Sequence, residues 1–284
     1  MLNMIRMDFY RMIKTKSFYM VLLVFLVMTA ISTVLCKTEL EDAKIQQSNY
    51  ESTLEQADTQ TQTTNVGISV ILPTKPGEKA SVYDMFYANV QGKEVALFLV
   101  IFAVMFSLAD FKSGFIKNIG GQARKRFYLI ASKTIVLTMF TVILFVLFLL
   151  FQALCNQVIL GYLKWGDTGD LLTYFGTELV LHAAFAIFIM ALSIIIQSNA
   201  ASMILAIVLS IDLAVILYSM FDRFVQKYAD VDFHIMDYLV TGKISALPMA
   251  AQTSDIQSAL LVSAAFIAGS LAVCGIVFQK RDMN

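Results

Sequence analysis

Charge is scarce in this chain. Only 15% of its 284 residues are Asp, Glu, Lys or Arg, against about 25% in an ordinary soluble domain. That leaves too few charges to coat a water-exposed surface, which argues against a soluble globular protein. The charges present also cancel, 21 Lys+Arg against 21 Asp+Glu, so no bulk field draws the chain to nucleic acid. Proline is rare, with three residues, and long helices can run uninterrupted. The three cysteines, Cys36, Cys155 and Cys274, are too few and too scattered for a disulfide framework or a zinc site. Cys36 and Cys155 both fall at outer span ends, and free thiols are the simpler expectation. No metal site and no cofactor are expected in this chain.

What is abundant is apolar surface. Hydrophobic residues make up 58% of the sequence and the mean hydropathy is +0.72. A helix needs about 20 mostly apolar residues to cross a bilayer. Six stretches qualify: residues 18–36, 94–109, 127–155, 174–197, 201–220 and 258–278. The expected fold class is therefore an all-α integral membrane protein with six transmembrane helices and small extracellular segments. The first run is about as long as a span, longer than a signal-peptide core, and no Ala-x-Ala site follows it, so it reads as a retained anchor.

Orientation follows from the bias of Lys and Arg toward the cytoplasm. Residues 37–93, 156–173 and 221–257 carry nine Lys/Arg in 112 residues. Residues 1–17, 110–133, 198–200 and 279–284 carry twelve in 50. The second set is about threefold denser, which puts both termini in the cytoplasm.

Several connections have character of their own. Residues 1–17 read as an amphipathic interfacial helix. Leu2, Ile5, Phe9, Met12 and Ile13 form its stripe, and Arg6, Arg11, Lys14 and Lys16 are within reach of phosphate headgroups. Residues 37–93 read as an extracellular cap. It holds a helix around Leu40–Ala57, a strand over 66–72 ending at Pro73, a Pro76-Gly77 turn, and a helix carrying Val82, Met85, Phe86, Asn89 and Val90. Residues 221–257 are too apolar for a free loop and suggest short helices dipping into the outer leaflet. The spans before and after Ser198-Asn199 must form a hairpin. Trp165, Tyr162 and Tyr174 suit an interfacial aromatic belt.

The connection over residues 110–126 carries the functional argument. In the stretch DFKSGFIKNIGGQARKRFYLIASK, the residues Phe111, Phe115, Ile116 and Ile119 share a helical face, and Gly120-Gly121 ends it. This order resembles the segment between the second and third spans in permease subunits of type-2 ATP-binding-cassette exporters. It consists of an acidic residue, an aromatic, a basic or small residue, Gly, then basic residues and a Lys in the next span. The basic start running through KTKSFYM into the first span resembles the peptide- and bacitracin-type permeases of that group in bacteria. The resemblance is specific over residues 1–19 and 110–133, and covers the rest of the chain in layout.

The resemblance implies a subunit of an exporter in the bacterial plasma membrane, one that moves amphipathic or antimicrobial peptides. Two permease copies, or a copy and a sister permease, would form the pathway. Separate cytoplasmic ATPase subunits would bind ATP and Mg and drive it. Asp110, Lys112, Gly114, Phe115, Ile116 and Ile119 would then form the coupling helix. This chain itself is not expected to be an enzyme. IGGQARKR imitates an ATPase signature, but no G-x-x-x-x-G-K-[ST] exists, because Gly92-Lys93 and Gly242-Lys243 lack the upstream glycine. A membrane sensor, scaffold or immunity protein using residues 37–93 as receptor is the alternative reading.

Glu178, His182 and Asp212 fall well inside the apolar runs, each at a cost of roughly 2.5–3.5 kcal/mol near a helix centre. Glu178 and His182 are i,i+4 neighbours. Asp212 falls at a similar depth on the next span, so the expectation is a Glu178–His182–Asp212 polar cluster. It acts either as glue between helices or as part of a substrate or proton path, and glue is the more economical reading.

Overall fold

The computed structural model describes residues 1–42, 44–48, 50, 51, 67–112, 127–229 and 234–280. Helix accounts for 83% of it, with no strand among the described residues. In chain order the helices are α1 (Leu2–Lys14), α2 (Lys16–Glu41), α3 (Val82–Gln91), α4 (Glu94–Lys112) and α5 (Phe127–Cys155). They continue with α6 (Thr168–Ile196), α7 (Asn199–Ser210), α8 (Val215–Ala229), α9 (Val240–Ala246) and α10 (Thr253–Lys280). A π turn over Asn156–Leu160 extends α5, and a 3₁₀ turn over Ile235–Tyr238 precedes α9.

Four helices are long and apolar enough to cross a membrane: α2, α5, α6 and α10. The second and fifth expected spans are different. Each forms only as a bent pair, α3 with α4 at 55° and α7 with α8 at 68°. Counting each pair as one gives up to six. Among the described residues the protein is thus all-helical, with four to six elements long and apolar enough to span a membrane.

α6 is the centre of the bundle. It packs against α4, α5, α7, α9 and α10, and 67% of its apolar window is buried, against 17% for α10. Aromatic rings fill the space between α2, α3, α4 and α5. Phe102 stacks on Phe140 at 3.8 Å, Phe86 on Phe148 at 4.8 Å, and Phe25 meets Phe98 and Phe148 edge-on. Lipid tails are as apolar as these rings, so what the rings add is close packing. Hydroxyls on the spans are satisfied locally. Thr33, Ser107, Thr134, Thr138, Thr141, Ser193 and Ser263 each donate to a carbonyl four residues back, so these hydroxyls are not left unpaired in the apolar bundle.

Where the elements differ from expectation, packing explains why. α1 forms, but its buried face holds Met12 and Asp8, while Leu2 is 79% exposed. The helix docks on α5, where Ser132 Oγ donates to Asp8 Oδ2 at 2.5 Å. The helix expected around Leu40–Ala57 is seen as the end of α2 and as helical residues 44–48, 50 and 51, and residues 43, 49 and 52–57 lie outside the described residues. The described part of the expected strand, 67–72, is extended but pairs with no neighbouring strand. The helix expected at Val82 is present, started by a capping box in which Ser81 Oγ accepts from Asp84 N–H and Asp84 accepts from Ser81 N–H. Tyr174 is fully buried among Tyr83, Tyr87 and Phe86, so it is a core residue and not part of an aromatic belt. Cys36, Cys155 and Cys274 are buried free thiols.

α9 is placed by close backbone contact. A Cβ on Gly242 would lie 1.9 Å from the Met236 carbonyl oxygen, so only glycine lets the 3₁₀ turn and α9 fold together. Replacing Gly242→Ala should push these elements apart and lower the thermal midpoint of the purified protein by several degrees. A midpoint within a degree of wild type would show that the contact yields freely.

Candidate functional site: the crossing of two broken helices

Each helix break holds one residue that terminates its helix by adopting a left-handed backbone. At the first break Lys93 has φ +65°, and at the second Asp212 has φ +54°. Neither is glycine, so each conformation costs roughly 1–2 kcal/mol. The breaks face each other. Lys93 Nζ donates to Asp212 Oδ2, with side chains only 4% and 2% exposed. Ser245 Oγ on α9 donates to the same carboxylate at 2.8 Å. At the second break Leu213 N–H bonds back to Val208 O at 3.0 Å, one residue beyond the α-helical partner, and Val215 N–H to Asp212 O at 3.0 Å. The helical ladder is therefore re-formed around the kink instead of being left open.

The next residue after the first break, Glu94, is 3% exposed. Its Oε1 accepts from Thr29 Oγ1 of α2 at 3.2 Å. From there a polar track runs along one face of α2. Ser32 Oγ donates to Asn89 Oδ1 at 2.6 Å, Asn89 Nδ2 to Gln152 Oε1 at 3.3 Å, and Gln152 Nε2 to Thr33 Oγ1 at 3.2 Å and Asn156 Oδ1 at 2.9 Å. This joins α2, α3 and α5 in a setting where unmet polar groups are expensive. Gln91, at the end of α3, donates to Ile244 O and Leu247 O, both at 3.1 Å, and so ties the break to α9.

An extended strap over residues 67–72 lies against both breaks. Gly67 N–H donates to Ile211 O at 2.9 Å, which satisfies a carbonyl that the broken α7 leaves free. At the other break Gly92 is so close that an added Cβ would lie 2.9 Å from Val70 Cγ2 and 3.0 Å from Ser69 O.

The structure divides the expected intramembrane cluster. Glu178 and His182 are both fully buried. His182 Nδ1 donates to Glu178 O at 2.9 Å and lies 3.2 Å from Glu178 Oε2. Its ring meets Phe145 edge-on at 5.0 Å. Asp212 joins Lys93 and Ser245 instead, because the kink over residues 211–214 turns it toward the other break. No hydrogen bond or ion pair links it to Glu178 or His182 among the described residues. Of the expected coupling residues, Asp110 and Lys112 fall in the last turn of α4, whereas Gly114, Phe115, Ile116 and Ile119 lie outside the described residues.

Sequence reading passed over Lys93 and Glu94, which sit between two apolar stretches and look like a boundary. The available signal was that the segment before them, VYDMFYANVQ, is itself helical and apolar enough to belong to the same crossing.

The family described as Protein of unknown function (DUF2705) matches residues 52–284, which takes in both breaks, the strap and every helix after α2. The chain belongs to this family. No curated protein matches it. In this DUF2705 protein, Asp212→Ala alone should cost about 3–5 kcal/mol of stability, because it leaves the Lys93 charge buried without its partner. The double change Lys93→Met/Asp212→Asn should recover most of that loss. Thermal unfolding of the purified variants in detergent checks both, and equal losses for the single and the double would refute the pairing energy.

Proposed function

We propose that the chain is the permease subunit of an ATP-binding-cassette exporter in the bacterial plasma membrane. It has six spans with both termini inside, and two permease copies form a pathway driven by separate ATPase subunits. The observation that carries this reading is the docking of α1 at the start of α5 through Asp8 and Ser132. That contact brings the basic N-terminal segment, with Arg6, Arg11, Lys14 and Lys16, to the end of the bundle where α5 begins, and in sequence Arg124, Lys125 and Arg126 directly precede α5. One end of the molecule thus collects positive charge, as cytoplasmic ends do. The α4–α5 connection at that end is the segment whose residues resemble the exporter coupling helix.

Two discontinuous helices with charged groups at their breaks add support, since broken spans recur where transport proteins bind and move cargo. In this reading α4 is the mechanical link. One end leads into the coupling segment, and the other carries the Lys93–Asp212 crossing. ATPase closure would pull on the coupling residues, and α4, a continuous rod of roughly 28 Å between Glu94 and Lys112, would transmit that displacement to the break. Amphipathic peptides are the proposed cargo.

The test is purification of the intact chain together with its ATPase. Wild type should bring a stoichiometric ATPase with it, and Phe115→Asp/Ile116→Asp should lose that partner while remaining monodisperse. An ATPase retained by the variant overturns the coupling assignment, and a wild-type chain that never carries an ATPase overturns the transporter reading.

A further inference from the structure

Three ties meet at the helix crossing, and each connects elements that are far apart in sequence. The first is the Lys93–Asp212 ion pair, reinforced by Ser245. The second is the Gly67 N–H bond to Ile211 O. The third is the close seating of Ser69 and Val70 on Gly92. Together they couple the two breaks, so that bending at one is felt at the other.

The backbone around those ties is not at rest. A continuous helix through either break would need φ near −60° at Lys93 and at Asp212. Both are instead left-handed, and they are two of only three non-glycine residues with positive φ among the described residues. The third, Gln197, merely ends α6. Strain of this kind persists only where surrounding contacts impose it, and it is found where an element has two arrangements.

The geometry points to a latch. With the strap seated and Lys93 paired to Asp212, both helix pairs are held bent. When the strap lifts and the pair separates, the two backbones return to helical φ and the pairs α3/α4 and α7/α8 straighten. The strap belongs to the segment read as extracellular, so it offers the latch a handle outside the membrane. Straightening is a large motion. α8 extends about 18 Å from the break to Lys227, and removing a 68° bend swings that end by ~20 Å. The latch stands apart from the exporter reading, because it concerns how the helices are held and not what crosses between them.

The experiment measures the swing directly in the full chain, reconstituted in lipid nanodiscs without any ATPase. Spin labels are placed through Leu172→Cys on α6 and Gln226→Cys on α8, both exposed positions. The three buried native cysteines are changed to Ala. Wild type should give one main distance by pulsed electron resonance. Lys93→Met/Asp212→Asn, which removes the pair without leaving a buried unpaired charge, should add a population displaced by about 10 Å or more, half the full swing. Gly92→Ala, which leaves the pair intact but crowds the strap, should do the same. A wild-type distance distribution in the variant lacking the pair overturns the latch. Should that variant fail to fold, an unchanged distribution in Gly92→Ala overturns it.

Discussion

A lysine and an aspartate held out of water must hold each other. In a medium that solvates neither charge, separating them costs far more than it would at a surface. Much of the molecule around the two helix breaks is arranged about the meeting of Lys93 and Asp212. Both helices stop so that the two side chains can converge. Ser245 reaches the same carboxylate, which requires α9 to pack against the 3₁₀ turn through Gly242. The strap over residues 67–72 satisfies the carbonyl that the kink exposes. These features come as a set, because a kink in an apolar bundle is tolerated only when every freed polar group finds a new partner.

The rest of the bundle follows the same rule with cheaper means. Threonines and serines turn back onto their own helices. Amides and hydroxyls of α2, α3 and α5 form a track from Ser32 to Asn156. Rings of Phe and Tyr fill what remains, and α6 gathers the others around it. Glu178 and His182 are the exception, an i,i+4 pair inside the most buried of the four long spans whose Glu178 Oε1 and His182 Nε2 have no hydrogen-bond partner. Their position against Phe145 and one turn from Tyr174 makes them part of the core that aligns α6 with α5 and α3.

The molecule thus has two specialised ends. One holds α1, with Arg6, Arg11 and Lys14, docked at the start of α5. The other holds the charged crossing and its strap. α4 runs from one to the other without interruption, so any displacement at the basic end reaches the crossing through a rigid rod. In the proposed exporter this is the route by which work done on the coupling segment would arrive at the bent helices.

Much of this was legible in the residues alone. Apolar runs marked the four long spanning helices, since one-dimensional hydropathy is what a bilayer reads. The positions of Val82, Met85, Phe86, Asn89 and Val90 announced α3 through helical spacing, and the short link at Ser198-Asn199 announced the hairpin of α6 and α7. Glu178 and His182 could be paired from their spacing, because a contact within one helix is fixed by its pitch. The described part of the strand expected over 66–72, residues 67–72, pairs with no neighbouring strand among the described residues, because alternation cannot say whether a neighbouring strand will be there. Asp212 was recognised as a buried charge but given the wrong neighbours, and Lys93 was taken for a boundary. Pairing residues 119 positions apart depends on how two helices bend, and a bend set by left-handed backbone at Lys93 and Asp212 leaves no mark in composition or period. The sequence by itself determined that the chain is built of helices apolar enough to span a bilayer and roughly where the four long ones run, which are local or summed properties. Only the tertiary structure decided that two spans are broken and that their breaks share one ion pair, because that depends on distances between distant parts of the chain.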